Sequence, residues 1–519
     1  MNRREFFRSS TAGALVGRRV LSGLKPSGAV QKGRDERTPN SIIRRYSEQE
    51  QRQRLENISV CERSIRDCMR KHLVTSYLPG QCTYNLGEYP CRKPWEITEW
   101  DAHELDRLKA EGIRLIQLHE EWNDSQRLFG GNKYTPLNPK GFREFVGMAH
   151  ERRMKVIVYM SSGFFEKRDP NFRQEWARDQ DLVELFYHYA RCSPASPSWR
   201  TYIWKQTVRI MEEYGVDGIY NDLGYLPLAG NPHPATKDEV LAFRETPTED
   251  GALGDLLALI YEEVKHRSGI VKVHLGATGR PMTDLKVYDY LWVGEEVESS
   301  DSLRRAVKSY EPYVVPCLDM SRARIANEDE LYLQSIPYMQ FPLLLAGKPF
   351  TGERALIPGI DYVPASEDFW TQHCREIWRY YQEHPNGPYS YGWWDSVPGR
   401  PEARSAHAKW LRRYAPMVEE GTWAWLEVKD STILRGTLPG DVVASVFANR
   451  ELYLVLANYG EQRVVVETSE RFIDTGEDRL SARARWELPG RSLKILKKGA
   501  LDPEPQAAAQ RQRKHGAPA

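Results

Sequence analysis

The 519-residue sequence has few cysteines, no excess of charge of either sign and no long apolar run. Its seven cysteines form no CxxC pair and no His/Cys cluster with zinc-ligand spacing, which excludes a disulfide scaffold and predicts no metal site. The 73 basic and 72 acidic residues leave a net charge of +1, so neither nucleic acid nor an anionic membrane surface is an expected partner. No stretch beyond the N-terminal region approaches the ~18 apolar residues of a membrane span.

The N-terminus, MNRREFFRSSTAGALVG, places an arginine pair before two phenylalanines and a small, apolar stretch. It looks like a bacterial twin-arginine export signal, which predicts a periplasmic or secreted protein. The alternative is a disordered basic N-terminus, because Arg18 and Arg19 interrupt the apolar stretch. We assign residues 1–40 to the signal and a linker, and residues 41–72 to a charged N-terminal helical segment. In an oxidising compartment, Cys82 and Cys91 can close the loop between them with a disulfide.

From residue 73 to residue 419, short β-rich apolar runs alternate with amphipathic helical stretches. The runs begin near residues 73, 113, 155, 216, 271, 290, 313 and 340. Strand and helix in alternation are typical of a parallel sheet, and eight units predict a (β/α)8 TIM barrel rather than an open doubly wound sheet. No GxGxxG turn follows any of these runs, which disfavours a dinucleotide-binding fold. We expect the protein to use no cofactor.

The pattern changes near residue 420, where strands become short, alternating and closely spaced, with Gly, Pro and Asn between them. This spacing predicts a C-terminal antiparallel β-sandwich over residues 420–500. Residues 501–519 are rich in Gln, Ala, Arg and Pro and lack periodicity, so we expect a disordered tail.

Two carboxylate positions carry the chemical hypothesis. In GVDGIYNDLGY a helix ends at Gly215, a short strand follows, and Asp222 stands at the carboxyl end of that strand. In DYLWVGEEVE, Glu295 and Glu296 follow the apolar run in the same way. Barrel enzymes keep their catalytic groups at the carboxyl ends of the strands, and cleavage of a glycosidic bond needs two carboxyl groups flanking one oxygen. The sequence therefore predicts a glycosidase that acts on a carbohydrate.

The choice between the two glutamates stays open. Strand alternation places Glu296 on the same face as Trp292 and Gly294, by parallel with Tyr220 and Asp222. A bulge at the strand end would instead turn Glu295 inward, and a Gly-Glu pair that closes a barrel strand favours the same residue.

Other strand ends supply candidate substrate contacts, and a satisfied hydrogen bond in the barrel mouth is the structural alternative for each. These candidates are His119, Glu121, Tyr159, Ser161, Tyr220, His274, Trp292 and Asp319. Trp199 precedes the strand of Asp222 by one helix and is a further candidate, although a tryptophan at a helix start often serves packing. Trp393 and Trp394 are candidates for a sugar-stacking platform. For Asp222 itself the structural alternative is a helix N-cap.

GVDGIYND resembles the fourth-strand motif of glycoside hydrolase barrels of the α-galactosidase-like group, and RCSPASPSWRTYIWKQTVRIMEEYG looks like the helix that precedes it there. The resemblance covers the barrel and the sandwich. It implies a retaining enzyme with Asp222 as nucleophile and Glu295 or Glu296 as acid/base. Asn221 departs from the pattern, in which a hydrophobic residue is frequent. The sequence leaves two further hypotheses: an inactive carbohydrate-binding barrel, and a barrel enzyme of another chemistry such as an isomerase or a transglycosylase.

Overall fold

A computed structural model describes residues 46–87, 94–123, 134–167, 169–184, 188–222, 249–275, 285–293, 299–316, 324–325, 327–348, 383, 389–390, 401–477 and 481–499. The pattern of contacts within the chain divides it into two units, Met1–Ser47 and Glu48–Ala519. The helices and strands named below belong to the second unit. The predicted export signal, linker and C-terminal tail lie outside the described residues. Within the described part of the chain, no helix is long and apolar enough to cross a membrane.

Eight parallel strands form one sheet. Numbered one to eight in chain order, they are Gln81–Asn85, Leu115–Leu118, Lys155–Ser161, Gly218–Asp222, Ile270–Leu275, Tyr290–Val293, Val314–Pro316 and Leu344–Gly347. Their spatial order in the sheet is seven, six, five, four, three, two, one, eight. Strand eight pairs with strand one, as in a ring of eight. The predicted (β/α)8 barrel is therefore confirmed, with its first strand at Gln81 rather than at residue 73.

Helices follow the first four barrel strands and the last three. They are Glu99–Glu111, Pro139–Glu151, Pro197–Tyr214, Glu249–His266, Ser300–Val307, Asp329–Ser335 and Pro401–Tyr414. Short 3-10 helices are Glu120–Trp122, Gln174–Trp176, Ile336–Tyr338 and Ala415–Val418. A small antiparallel sheet of Phe164–Glu166, Ala177–Glu184 and His188–Cys192 is inserted after strand three, and Arg324–Ile325 pairs with Tyr389–Ser390.

Contacts at the seam show how the ring closes. Phe341 N donates to Val314 O at 3.3 Å, which joins strand seven to the segment that leads into strand eight. In the last barrel helix, Lys409 Nζ lies 2.5 Å from Asp329 Oδ1 of the helix before it. Arg404 Nη1 of the same helix lies 2.6 Å from Glu104 Oε1 of the first barrel helix. The last helix thus links its neighbours on both sides.

A second, antiparallel sheet has eight strands, seven of which follow the barrel in the sequence, and it confirms the predicted sandwich. Its strands in spatial order are Ile65–Leu73, Trp423–Ser431, Val442–Ala448, Leu452–Asn458, Ser492–Lys498, Val464–Asp474 and Leu434–Arg435, with Arg483–Leu488 pairing with Val464–Asp474. Ile65 and Leu434, from the two ends of this path, pack against one hydrophobic cluster, so the sheet folds over on itself.

The first strand of this sandwich comes from before the barrel. Where a helical segment is expected over residues 41–72, the chain forms helix Glu48–Ser64 and then strand Ile65–Leu73. Seven residues of this strand pair with Trp423–Ser431, and that long-range pairing overrides the local, charged, helix-like pattern. The sandwich is therefore built from both ends of the unit that contains the barrel.

The predicted disulfide between Cys82 and Cys91 is not formed, because Cys82 is a free and fully buried thiol. Burial raises the pKa of the Cys82 thiol, which keeps it protonated and inert at neutral pH. Cys91 lies outside the described residues.

Candidate active site at the carboxyl end of the barrel

In the motif GVDGIYND, the structure explains the residue types at Gly215, Asp217 and Gly218. Gly215 ends the preceding helix with a left-handed backbone at φ +70°, and its N–H donates to Met211 O. Asp217 Oδ2 accepts hydrogen bonds from Val156 N and from the imidazole of His150, each at 2.8 Å. Gly218 runs so close to strand five that a Cβ there would lie 1.9 Å from Ile270 O. These contacts fix where strand four begins.

The end of the motif fixes where strand four stops. Asn221 Oδ1 accepts a hydrogen bond from Ser162 N at 3.0 Å. The main-chain oxygen of Asp222 accepts from Ser161 Oγ at 3.0 Å and from Ser162 N at 3.2 Å. Asn221 therefore departs from a hydrophobic pattern because its amide joins the ends of strands three and four. Two of these hydrogen bonds hold the main chain of Asp222, and the third holds the side chain of the preceding Asn221.

The carboxylate of Asp222 is oriented by its neighbours and open to solvent. Tyr159 Oη donates to Asp222 Oδ2 at 2.9 Å, and His274 Nδ1 lies 3.8 Å from Asp222 Oδ1. The Asp222 side chain is 26 % exposed, whereas the His274 side chain is 11 % exposed. A ligand at the barrel mouth can thus reach a carboxylate whose two oxygens already have different neighbours.

Aromatic and imidazole rings on the inner faces of five barrel strands form a closely packed floor beneath Asp222. They belong to His119, Tyr159, Tyr220, His274 and Trp292. Trp292 lies 5.0 Å from the Tyr220 ring centroid, 5.1 Å from that of His119 and 5.6 Å from that of His274. Since Trp292 is fully buried, it supports the floor and offers no face on which a sugar can stack.

The protonation state of His119 follows from its position in the floor. His119 is buried, and burial lowers the pKa of its imidazole well below the usual value, with the neighbouring His274 and Lys272 adding to the effect. His119 is therefore neutral at neutral pH. A neutral imidazole can both donate and accept a hydrogen bond, whereas an imidazolium only donates.

Two further candidates have structural contacts. Glu121 is fully buried, where its Oε1 accepts from Leu86 N at 3.2 Å and its main-chain oxygen accepts from Trp95 Nε1 at 2.8 Å. Trp199 is fully buried in an aromatic cluster with Phe165, Trp176 and Tyr202. Its Nε1 donates to Ser162 O at 3.0 Å, so Trp199 supports the strand-three turn from below rather than lining the mouth.

The remaining candidates lie outside the described residues. They are Glu295, Glu296, Asp319, Trp393 and Trp394. Strand six ends at Val293, and the inward position of Trp292 matches that of Tyr220. The argument for Glu296 assumed that it shares a strand face with Trp292, and Trp292 does point into the barrel. The choice between Glu295 and Glu296 stays a prediction.

Sequence reasoning missed Lys272, a fully buried lysine two residues before His274 on strand five. The signal was present, because Lys272 alternates with valines in VKVHL and so shares one face of the strand with the candidate His274. It also missed Ser162, whose backbone N–H and C=O join Asn221, Asp222 and Trp199. Among the residues with described positions, no group of three or more His, Cys, Asp or Glu could hold a metal ion.

Comparison with known proteins gives a likeness in fold only. No protein-family model and no curated protein matches the sequence. A maltogenic α-amylase from Thermotoga neapolitana matches with a TM-score of 0.48 and 16 % identity, over 81 % of this chain and 99 % of that chain. The trehalulose synthase from Pseudomonas mesoacidophila matches with a TM-score of 0.48 and 12 % identity, over 81 % and 98 %. Similarity of this degree assigns neither a family nor an activity. Neither name belongs to the α-galactosidase-like group.

Proposed function

We propose that the protein is a glycoside hydrolase that cleaves O-glycosidic bonds of an oligo- or polysaccharide, with Asp222 as its nucleophile. The observation that carries the proposal is the Asp222 carboxylate, which stands at the carboxyl end of barrel strand four and is bonded to Tyr159 and partly exposed. Tyr159 and His274, which lie next to the two oxygens of this carboxylate, carry a phenol and an imidazole. An ionised carboxylate in such surroundings is suited to attack an electrophilic sugar carbon.

The geometry supports a division of labour between the two carboxylate oxygens. Oδ2 accepts a hydrogen bond from the Tyr159 hydroxyl, and we assign Oδ1, on the side of His274, as the oxygen that approaches the anomeric carbon. In a retaining reaction that oxygen forms a covalent bond to the sugar while a carboxylic acid protonates the departing oxygen. We assign the acid/base role to Glu295 or Glu296, and the retaining course, from the sequence resemblance to α-galactosidase-like barrels. We also infer export through the N-terminal twin-arginine segment.

The experiment is hydrolysis of a panel of aryl α- and β-glycosides and natural oligosaccharides by the wild type and by Asp222→Asn. We expect one substrate class to be cleaved and kcat/KM to fall by roughly three orders of magnitude or more in the variant, because the amide cannot form the glycosyl ester. The matched control is Asp217→Asn, the same change five residues earlier. Its amide oxygen can still accept from Val156 N, so we expect near wild-type activity and a small loss of stability.

Each contrary result has a separate meaning. Unchanged hydrolysis by Asp222→Asn would remove the nucleophile assigned above. Binding of sugars without turnover by the wild type would favour the inactive carbohydrate-binding barrel. Transfer to a second sugar in preference to water would make the protein a transglycosylase, which uses the same carboxylates.

A further inference from the structure

Asp222, His274 and Trp292 form one row across three neighbouring barrel strands. His274 of strand five is the register partner of Asp222 on strand four and of Trp292 on strand six. The centroid of the His274 ring lies 5.6 Å from that of Trp292 and 5.9 Å from that of Tyr220. These contacts hold the imidazole beside the carboxylate of Asp222, at the end of the barrel where that carboxylate is open to solvent.

The gap between His274 and Asp222 has the size of one hydroxyl group. His274 Nδ1 lies 3.8 Å from Asp222 Oδ1, which is beyond the roughly 2.7–3.2 Å of a direct hydrogen bond. A hydroxyl oxygen about 2.8 Å from each of these two atoms can bridge them. Because a neighbouring carboxylate favours a hydrogen on the nitrogen that faces it, Nδ1 is suited to donate to such a hydroxyl.

The position of the gap indicates which substrate oxygen enters it. The anomeric carbon has three oxygens close to it: the leaving oxygen, the ring oxygen and the hydroxyl on C2. In a retaining reaction the leaving oxygen faces the acid, on the side away from the nucleophile. The ring oxygen becomes partly positive in the transition state, so an N–H donor is a poor neighbour for it. The 2-hydroxyl remains, and it lies next to the oxygen that attacks.

We propose that His274 recognises the 2-hydroxyl of the sugar whose bond is cleaved, through a hydrogen bond from Nδ1, and thereby selects sugars with an unsubstituted hydroxyl at C2. A 2-acetamido sugar is disfavoured, because an amide nitrogen donates a hydrogen bond and does not accept one. His274 is then a specificity-determining residue. This inference rests on the proposed glycosidase function and adds to it the chemical class of the substrate.

The test measures kcat/KM for the aryl glycoside that the wild type cleaves and for its 2-deoxy counterpart. It uses the wild type, His274→Leu and His274→Asn. Leucine and asparagine have nearly the same shape, but only asparagine carries a donor, and its Nδ2 is as many bonds from the main chain as Nδ1 of histidine. The ratio of the two kcat/KM values is taken within each protein, so partial unfolding of a variant cancels. The intrinsic reactivities of the two glycosides cancel between proteins.

We expect the ratio of 2-hydroxy to 2-deoxy kcat/KM to fall by at least about tenfold in His274→Leu, because the hydroxyl loses its donor. The loss should appear on the 2-hydroxy substrate, whereas kcat/KM on the 2-deoxy glycoside should change much less. His274→Asn should keep a ratio at least about threefold above that of His274→Leu, since its amide can donate from the same place.

Three results would overturn the inference. Equal ratios in the wild type and His274→Leu would show that the imidazole does not reach the 2-hydroxyl. Equal ratios in His274→Leu and His274→Asn, both below the wild type, would assign the effect to packing of the ring rather than to its donor. A wild type that prefers 2-acetamido glycosides would contradict the substrate class directly.

A wild type that hydrolyses nothing overturns the glycosidase, and a binding measurement then judges His274 separately. The probes are the methyl glycosides of glucose and galactose and their 2-deoxy counterparts, observed by NMR in the presence of the wild type or His274→Leu. Preference for the 2-hydroxy sugar in the wild type, lost in the variant, would support recognition by His274. Equal binding of both sugars, or binding of neither, would overturn it.

Discussion

At the scale of single residues, the hydrogen bond from Tyr159 to Asp222 makes the sharpest prediction. Tyr159→Phe removes one hydroxyl, so Asp222 Oδ2 loses a donor at 2.9 Å while the ring packing stays. Hydrogen bonds to charged groups contribute about 1.5–3 kcal/mol, so kcat/KM should fall by about 10- to 100-fold with little change in melting temperature. Steady-state kinetics and thermal melts of the purified variant measure both quantities.

Tyr84→Phe is the matched control for that variant. Tyr84 Oη donates to Asp101 Oδ1 at 2.8 Å on the outer face of strand one, away from Asp222. Its loss leaves a fully buried carboxylate with one donor fewer, so stability should fall by about 1–3 kcal/mol and activity should remain. If Tyr84→Phe lowered kcat/KM as much as Tyr159→Phe, the special role of Tyr159 would be contradicted.

Some residues around strand four could be assigned from the sequence, and others could not. Gly215, Gly218 and Asp222 could be placed because each obeys a local rule: a helix end, a close strand approach and a strand terminus. Trp199 could not, because a tryptophan at the start of a helix has the same local signature whether it packs or binds. Its role follows from Phe165 and Trp176, which contact it from segments 23 to 34 residues away.

At the scale of elements, strand Ile65–Leu73 joins the two ends of the folded unit. It precedes the barrel, yet it pairs with Trp423–Ser431 about 350 residues later. Helix Glu48–Ser64 adds to this connection, since Arg54 Nε donates to Gly421 O at 2.8 Å and Asn57 Nδ2 to Asn449 O at 3.0 Å. Sequence periodicity could predict the eight barrel strands because short apolar runs alternate with helical stretches, and described helices follow seven of these strands. It could not predict strand Ile65–Leu73, because the strand with which it pairs is distant in the sequence.

Truncation tests this connection. A chain that lacks residues 1–73 exposes the edge of Trp423–Ser431 and the apolar face beneath the helix, so it should be insoluble or melt at least ~10 °C lower. The control lacks only residues 1–47, which leaves the helix and the strand in place. Equal melting temperatures for the two truncated chains would show that the strand is dispensable.

At the scale of the whole molecule, barrel and sandwich share one hydrophobic core and several polar links. Ser445 Oγ donates to Pro337 O at 2.7 Å, and Arg491 pairs with Asp301 at 2.9 Å and with the buried Glu330. Tyr453 and Leu426 of the sandwich belong to the same apolar cluster as the barrel strands. The two parts should therefore unfold together, and conditions that weaken one should weaken both.

Buried histidines make that shared stability depend on pH. His407 of the last barrel helix is buried, and burial lowers its pKa to about 4, with Arg404 adding to the effect. Its folded pKa lies below its unfolded value near 6.5, so the unfolded chain binds more protons and stability falls as pH drops from about 7 to about 4. This histidine alone should account for about 3 kcal/mol of that loss.

His407→Leu is the variant that isolates this contribution. The ring of His407 is buried, and its polar contact with the Pro342 main chain is too weak to offset the effect of burial on its pKa, so an apolar side chain can replace the ring. Denaturant unfolding at pH 7 and at pH 4.5 should show a clearly smaller acid-induced loss in the variant than in the wild type. His150→Gln is the opposite control, because bonding to Asp217 raises the pKa of His150, so its stabilisation is present at acid pH and is lost as pH rises.

The most direct measurement of the central claim is the site of covalent labelling by a 2-deoxy-2-fluoro glycoside of the sugar that the wild type cleaves. Such a compound forms the glycosyl ester and hydrolyses slowly, so the adduct can be mapped by peptide mass spectrometry. The account predicts a single adduct on Asp222 and none in Asp222→Asn. An adduct on another carboxylate, or cleavage with inversion and no adduct at all, would contradict it.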